Sequence, residues 1–163
     1  MNVLIACEES QRVCIAFRER GHRAFSCDLQ ECSGGHPEWH IKGDVLPLLN
    51  GNCIFATESG EEVEISGKWD LIIAHPPCTD LCVSGARHFE KKRIKGTQES
   101  SIKFFKNFVE VNCDKVVIEN PVGIIGGDYI KNIIHNIRIF QNAPRLYNLM
   151  SLEIHIEKLL VYG

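Results

Sequence analysis

Three short uninterrupted apolar runs constrain this chain more than any other feature. They are Val3-Leu4-Ile5-Ala6, Leu71-Ile72-Ile73-Ala74 and Val116-Val117-Ile118. A strand with one wet face alternates apolar and polar residues. A run with no polar residue needs cover on both faces, as in a parallel sheet. Each run also stops abruptly, at Cys7-Glu8-Glu9-Ser10, at His75-Pro76-Pro77-Cys78 and at Glu119-Asn120-Pro121.

The segments between these runs read as helices. After Ser10, placed to cap a helix, Val13, Ala16 and Phe17 share one face while Arg12, Arg18 and Glu19 lie elsewhere. Gly21 sits where a helix-ending residue belongs. A second strand follows from Arg23 to Cys27 and ends at Asp28, completing strand, helix, strand. A further helix is expected over Glu99 to Val111, with Ile102, Phe105, Phe108 and Val109 on one face. Glu31 to His40 reads as loop, and Gly43-Asp44-Val45 as the close of a short strand. The stretch 52–67, with Val63 and Ile65 alternating with Glu62 and Glu64, reads as a β-hairpin inserted on the main sheet. Strands alternating with helices predict one α/β domain over residues 1–163, with three layers and a mainly parallel sheet.

Composition narrows the function classes. No apolar stretch approaches the ~20 residues needed to cross a bilayer. The first residues carry acids and no basic leader, so they read as a strand and a cytoplasmic location is expected. The net charge of −3 gives no general pull toward nucleic acid. Contact with DNA then falls to a local patch, and Arg87 to Lys95 is the one strongly basic run. The 8 cysteines include no CxxC pair, so reduced thiols are expected and no metal site.

In an open parallel sheet, ligands bind beyond the carboxyl ends of the strands. That rule selects Cys7 to Ser10, Asp28, the loop after Ala74 and the loop after Ile118. Cys78, stiffened by Pro76 and Pro77, reads as a nucleophile or as a packed thiol. Glu119 reads as a desolvated carboxyl able to hold a proton near neutral pH, or as a capping acid. Asp28 suits a ribose or a cap. Asp44 suits an adenine amino group or a turn.

Taken in order, these segments resemble the motifs of the C5-cytosine DNA methyltransferases. DLIIAHPPCTDLCVSGAR, from Asp70 to Arg87, is similar to the family's nucleophile motif, and Ile118-Glu119-Asn120-Pro121 to its Glu-Asn motif. The start, with WDLIIAHPPCT, looks more narrowly like small phage and prophage DNA cytosine methylases. The resemblance covers roughly residues 1–130. It implies a three-layer, Rossmann-like S-adenosylmethionine-dependent methyltransferase fold. Cys78 would attack C6 of a cytosine flipped out of DNA, Glu119 would stabilise N3, and Asn120 would orient Glu119. The cofactor would lie on Cys7, Glu8, Asp28, Asp44, Pro76 and Pro77, and DNA on Thr79, Ser84 and Arg87.

Departures from the family define the alternatives. Cys7-Glu8-Glu9-Ser10 replaces a glycine-rich loop, Thr79 stands where a Gln is usual, and Cys82 where a Ser is usual. No later base-contact motif or target-recognition region is present. These features suit a catalytically inactive, cofactor-binding relative of phage origin, or one methylating a base outside DNA. The stretch 135–163 is atypical. Pro144 to Gly163 can be back-translated so that the frame two bases on reads KIIQPYEFGDPYRKTTCLW, similar to the family's continuation. A one-base frameshift between about residues 131 and 144 is the expectation.

Overall fold

A computed structural model describes residues 1–81, 94, 96–120 and 137–141. Its elements are β1 (Asn2–Ala6), α1 (Arg12–Glu19), β2 (Arg23–Asp28), β3 (His40–Lys42), β4 (Cys53–Ala56), β5 (Glu62–Ile65), β6 (Leu71–Ala74), α2 (Thr97–Val109), β7 (Val116–Asn120) and β8 (Ile137–Gln141). The chain is α/β. Six strands form one sheet in the order β3-β2-β1-β6-β7-β8, and every pairing in it is parallel. The hairpin of β4 and β5 is antiparallel and forms a small sheet of its own, with Cys53 opposite Ile65.

The apolar runs are buried as their lack of alternation requires. Val3 to Ala6 and Ile72 to Ala74 have no exposed surface. Their side chains divide between two cores. Val3, Ile5, Leu71, Ile73 and Val117 meet Val13, Cys14 and Phe17 of α1. Leu4, Ala6, Ile72, Ala74 and Ile118 share the other core with Phe105 and Phe108 of α2, and with Phe55, Val63 and Ile65 of the hairpin. The sheet is thus covered on both faces. Burying a side chain the size of Phe108 contributes about 1.5–3 kcal/mol, which makes these faces the main source of stability.

Two helix boundaries differ from expectation. α2 begins at Thr97, where Gly96 takes a left-handed φ of 72°, and ends at Val109, so it lies about two residues toward the N-terminus. α1 is not capped by Ser10. Its N-cap is Gln11, in a left-handed conformation with no side-chain cap bond. Glu8 takes that role instead, as described below. At the other end, Gly21 does close α1. The His22 amide donates to Phe17 O (3.1 Å), the Gly21 amide to Arg18 O (2.9 Å), and the Phe17 and His22 rings pack together.

The loop between β2 and β3 contains a single 3-10 turn, Pro37–Trp39, and the third strand comes earlier than Gly43-Asp44-Val45 suggests. Gln11, at the start of α1, holds this loop. Its fully buried amide donates to His36 O (2.8 Å) and accepts from the His36 amide (3.0 Å). No helix among the described residues is long and apolar enough to cross a membrane.

Candidate functional site

The strand order creates a crevice. From β1 the chain builds outward through β2 and β3, then returns to the opposite side of β1 as β6. The connections after β1 and β6 therefore leave in opposite directions, which is where sheets of this kind bind ligands. On the two sides of this point lie the loops that begin at Cys7 and at His75.

The pairing register aligns the site across the sheet. Ala6 pairs with Cys27 and with Ala74, and Ala74 with Ile118. One step further, Asp28, Cys7, His75 and Glu119 occupy neighbouring positions on four adjacent strands. The His75 amide donates to Ala6 O (2.9 Å) and the Cys7 amide to Cys27 O (2.8 Å), so sheet bonding holds both residues at the edge. Four separate segments of the sequence thus meet in one row.

Each expected site residue has a definite place. Cys7 has a left-handed φ of 60° and packs against the core shared with α2. Burial, then the nearby carboxylates of Asp28 and Asp44, pushes its thiol up to about 12, so it stays protonated. Glu8 is buried at the start of α1 and accepts from the amides of Val13 (2.7 Å) and Cys14 (3.2 Å). Those amides would otherwise lack partners, which explains why Ser10 is not needed as a cap. Burial pushes the Glu8 carboxyl up to about 7 against the pull of these bonds.

Asp28 and Asp44 both brace turns, through Gln30 N (3.0 Å) and Leu46 N (3.0 Å) respectively. Each uses Oδ1, which leaves Oδ2 without a hydrogen bond among the described residues. Pro76 is buried and Pro77 exposed. Cys78 is half-buried, and its carbonyl accepts from the Leu81 amide (2.9 Å). The turn it opens is tied to α2, because Gln98 Nε2 donates to Asp80 O (3.2 Å) and Ser101 Oγ to Asp80 Oδ2 (3.3 Å). Thr79 is exposed. Glu119 is half-buried, and desolvation raises its carboxyl above the ordinary value. Asn120 ends β7 in register with Gln141. Ser84, Arg87 and the basic run up to Lys95, Ile94 apart, lie outside the described residues.

His75 was not singled out by sequence, where it merely ends a strand. Its Nε2 is sealed from solvent and has no hydrogen-bond partner among the described residues, although the residue as a whole is partly exposed. Burial drops the imidazole to about 4, so the ring is neutral at physiological pH. His40 shows the contrast. It is fully buried, yet Nδ1 meets Ser26 Oγ (2.9 Å) and Nε2 meets Gln30 O (3.0 Å). A carbonyl only accepts, so His40 Nε2 carries the proton and Nδ1 takes the hydroxyl hydrogen of Ser26. Both nitrogens of His40 are thus engaged, whereas His75 Nε2 has no partner among the described residues.

His36 and His40 stand four residues apart, a spacing able to hold a metal on a helix. Here they lie on a 3-10 turn and a strand, and His36 Nδ1 is engaged by Glu38 (3.0 Å). No group of three or more ligating side chains gathers among the described residues.

No protein-family model, curated protein or solved structure matches this chain. The class of protein is therefore defined by the parallel α/β sheet and its edge alone.

Proposed function

We propose that this chain is a Rossmann-like, S-adenosylmethionine-dependent methyltransferase acting on C5 of cytosine in DNA. The observation that carries the reading is the convergence at one sheet edge. The loop bearing Cys78 and the end of β7 bearing Glu119 flank the switch point on one side, and the end of β2 bearing Asp28 and the loop bearing Asp44 on the other. The strand order, with the hairpin set aside, is that of doubly wound nucleotide-binding sheets.

The residues present fit the cofactor. Two carboxylates with a spare oxygen suit ribose hydroxyls and an adenine amino group, and an orphaned buried nitrogen at His75 waits for a polar partner. When bound, S-adenosylmethionine supplies an electrophilic methyl group. The chain's own groups do the rest. Cys78 attacks C6 of the cytosine as a thiolate. Glu119, its carboxyl raised by burial, would give a hydrogen bond to N3 as Cys78 adds to C6, which leaves C5 electron-rich enough to take the methyl; loss of the C5 proton then expels the Cys78 thiolate and restores the ring. Asn120, next in β7, orients Glu119.

A second reading has one observation in its favour. The start of α1, where a ligand's phosphate or carboxylate would sit, is filled by Glu8. A non-catalytic cofactor-binding protein is the form that reading takes. Calorimetry with S-adenosylmethionine separates the two. Micromolar binding lost in Asp44→Ala, followed by methyl transfer to DNA lost in Cys78→Ala, supports the methyltransferase. Binding without transfer supports the non-catalytic protein, and no binding removes both.

A further inference from the structure

We propose that a recess at the amino end of β2 binds a phosphate group, carried by an organic molecule of about nucleotide size, between Arg18 and Arg23. The recess lies at the opposite end of the sheet from the crevice, so this site stands whether or not the chain is a methyltransferase.

The recess follows from the register. β3 pairs only with Ser26 to Asp28, which leaves Arg23 to Phe25 on a stretch of β2 edge beyond the reach of that strand. There Arg18 and His22 at the end of α1, Arg23 at the first position of β2 and Trp39 of the 3-10 turn line an open volume of about 480 Å³. Small-molecule sites run from about 300 to 1,000 Å³, and inorganic phosphate alone would fill little of this one.

Two cations are fixed here without a carboxylate partner. Arg18 is half-buried, and its Nε donates to Ala24 O (2.6 Å). Its guanidinium lies 4.6 Å from the centre of the Phe25 ring and 5.1 Å from that of Trp39. Arg23 donates to Glu64 O (3.1 Å) and lies 5.7 Å from the same Phe25 ring. Neither arginine is ion-paired among the described residues. Glu38 is bonded to His36 (3.0 Å), and Glu19, the one acid lining the recess, is exposed. Burial lowers the Arg18 value below the ordinary one, and the like charge of Arg23 lowers it further. An anion between two guanidinium groups relieves that repulsion, and their forked donors match phosphate oxygens. The last carbonyls of α1 do not compete, because Phe17 O and Arg18 O accept from the His22 and Gly21 amides. Trp39, held by the His36 ring stacked at 3.9 Å, gives the rest of the ligand a fixed apolar wall.

The test is a calorimetric titration of the full chain with UMP, uridine and a short oligothymidylate, each variant first checked by thermal melting. UMP is expected to bind at least about tenfold more tightly than uridine, as one charge-assisted bond is worth. Arg18→Gln and Arg23→Gln should each weaken UMP about tenfold, and Arg18→Lys should recover part of the loss. Arg23 is exposed, so its variant reads the site even if Arg18→Gln does not fold. Arg20→Gln removes a neighbouring charge outside the recess and should change UMP affinity little, as should Asp44→Ala in the crevice. Oligothymidylate binding lost in Arg23→Gln identifies nucleic acid as the source of the phosphate, and binding of UMP alone identifies a free organic phosphate. Equal affinities for UMP and uridine, no UMP binding, or an equal loss in Arg20→Gln and Arg23→Gln overturns the site.

Discussion

Two buried titratable groups on either side of the crevice have opposite effects on stability, and their near-cancellation can be tested. His75 falls from an ordinary 6.5 to about 4 on folding. Between those values the unfolded chain holds a proton that the folded chain refuses. Stability from a neutral His75 is therefore complete above pH 6.5 and lost as pH falls toward 4. The interval is worth roughly 3 kcal/mol at most, or about 1.4 kcal/mol per pH unit. Glu8 rises from 4.5 to about 7, and the sign reverses. Between those values the folded chain holds the extra proton. Stability is gained as pH falls from 7 to 4.5, at about the same slope. From pH 6.5 to 4.5 the two slopes offset each other. The assay is urea unfolding at half-unit pH steps from 4.5 to 7.5 for the wild-type protein, His75→Leu and Glu8→Gln. Relative to wild type, His75→Leu should gain stability on acidification and Glu8→Gln should lose it, each by roughly 1 kcal/mol per pH unit. His75→Leu should also be the more stable protein at pH 7 by about 1 kcal/mol, because it removes an unsatisfied buried nitrogen. A His75→Leu curve parallel to wild type from pH 5 to 6.5 would refute the neutral, sealed imidazole.

Three further outcomes follow from the same packing. A Cβ on Gly34 would lie 2.6 Å from Gln11 Cβ and 2.7 Å from Ser10 O, so Gly34→Ala should lower stability by about 1–3 kcal/mol. Gly43→Ala, with nothing within 4 Å, serves as its control, and equal melting temperatures would sink the packing argument. Gln11→Leu strips the His36 amide and carbonyl of their partner and should cost about 1–3 kcal/mol in urea unfolding, with the loop of residues 31–39 becoming protease-sensitive first. Sequencing the gene should show codons for Pro144 to Gly163 compatible with KIIQPYEFGDPYRKTTCLW in the shifted frame, and incompatible codons end the frameshift idea.

Much of this protein is legible along the chain. Burial on both faces demands runs without alternation, so Val3–Ala6, Leu71–Ala74 and Val116–Ile118 announce central strands locally. The 3.6-residue period of Val13 and Phe17, and of Phe105 and Phe108, likewise marks faces that must be covered. Strand ends are local too, which is why Asp28, Cys78 and Glu119 could be picked out as edge residues. What sequence does not carry is who stands beside whom. The return of β6 to the free side of β1 depends on long-range pairing, and that step alone makes the crevice. Ser10 looked like a cap because capping preferences are averages over solvent-exposed helix ends. Glu8 displaces it because the fold buries α1's first turn, where a longer acid reaches two amides at once. His75 looked like a strand terminator, and only the packing around its ring reveals that Nε2 has lost water without gaining a partner. Burial, register and an orphaned nitrogen are properties of three-dimensional neighbours, and the chemistry proposed at this edge depends on all three.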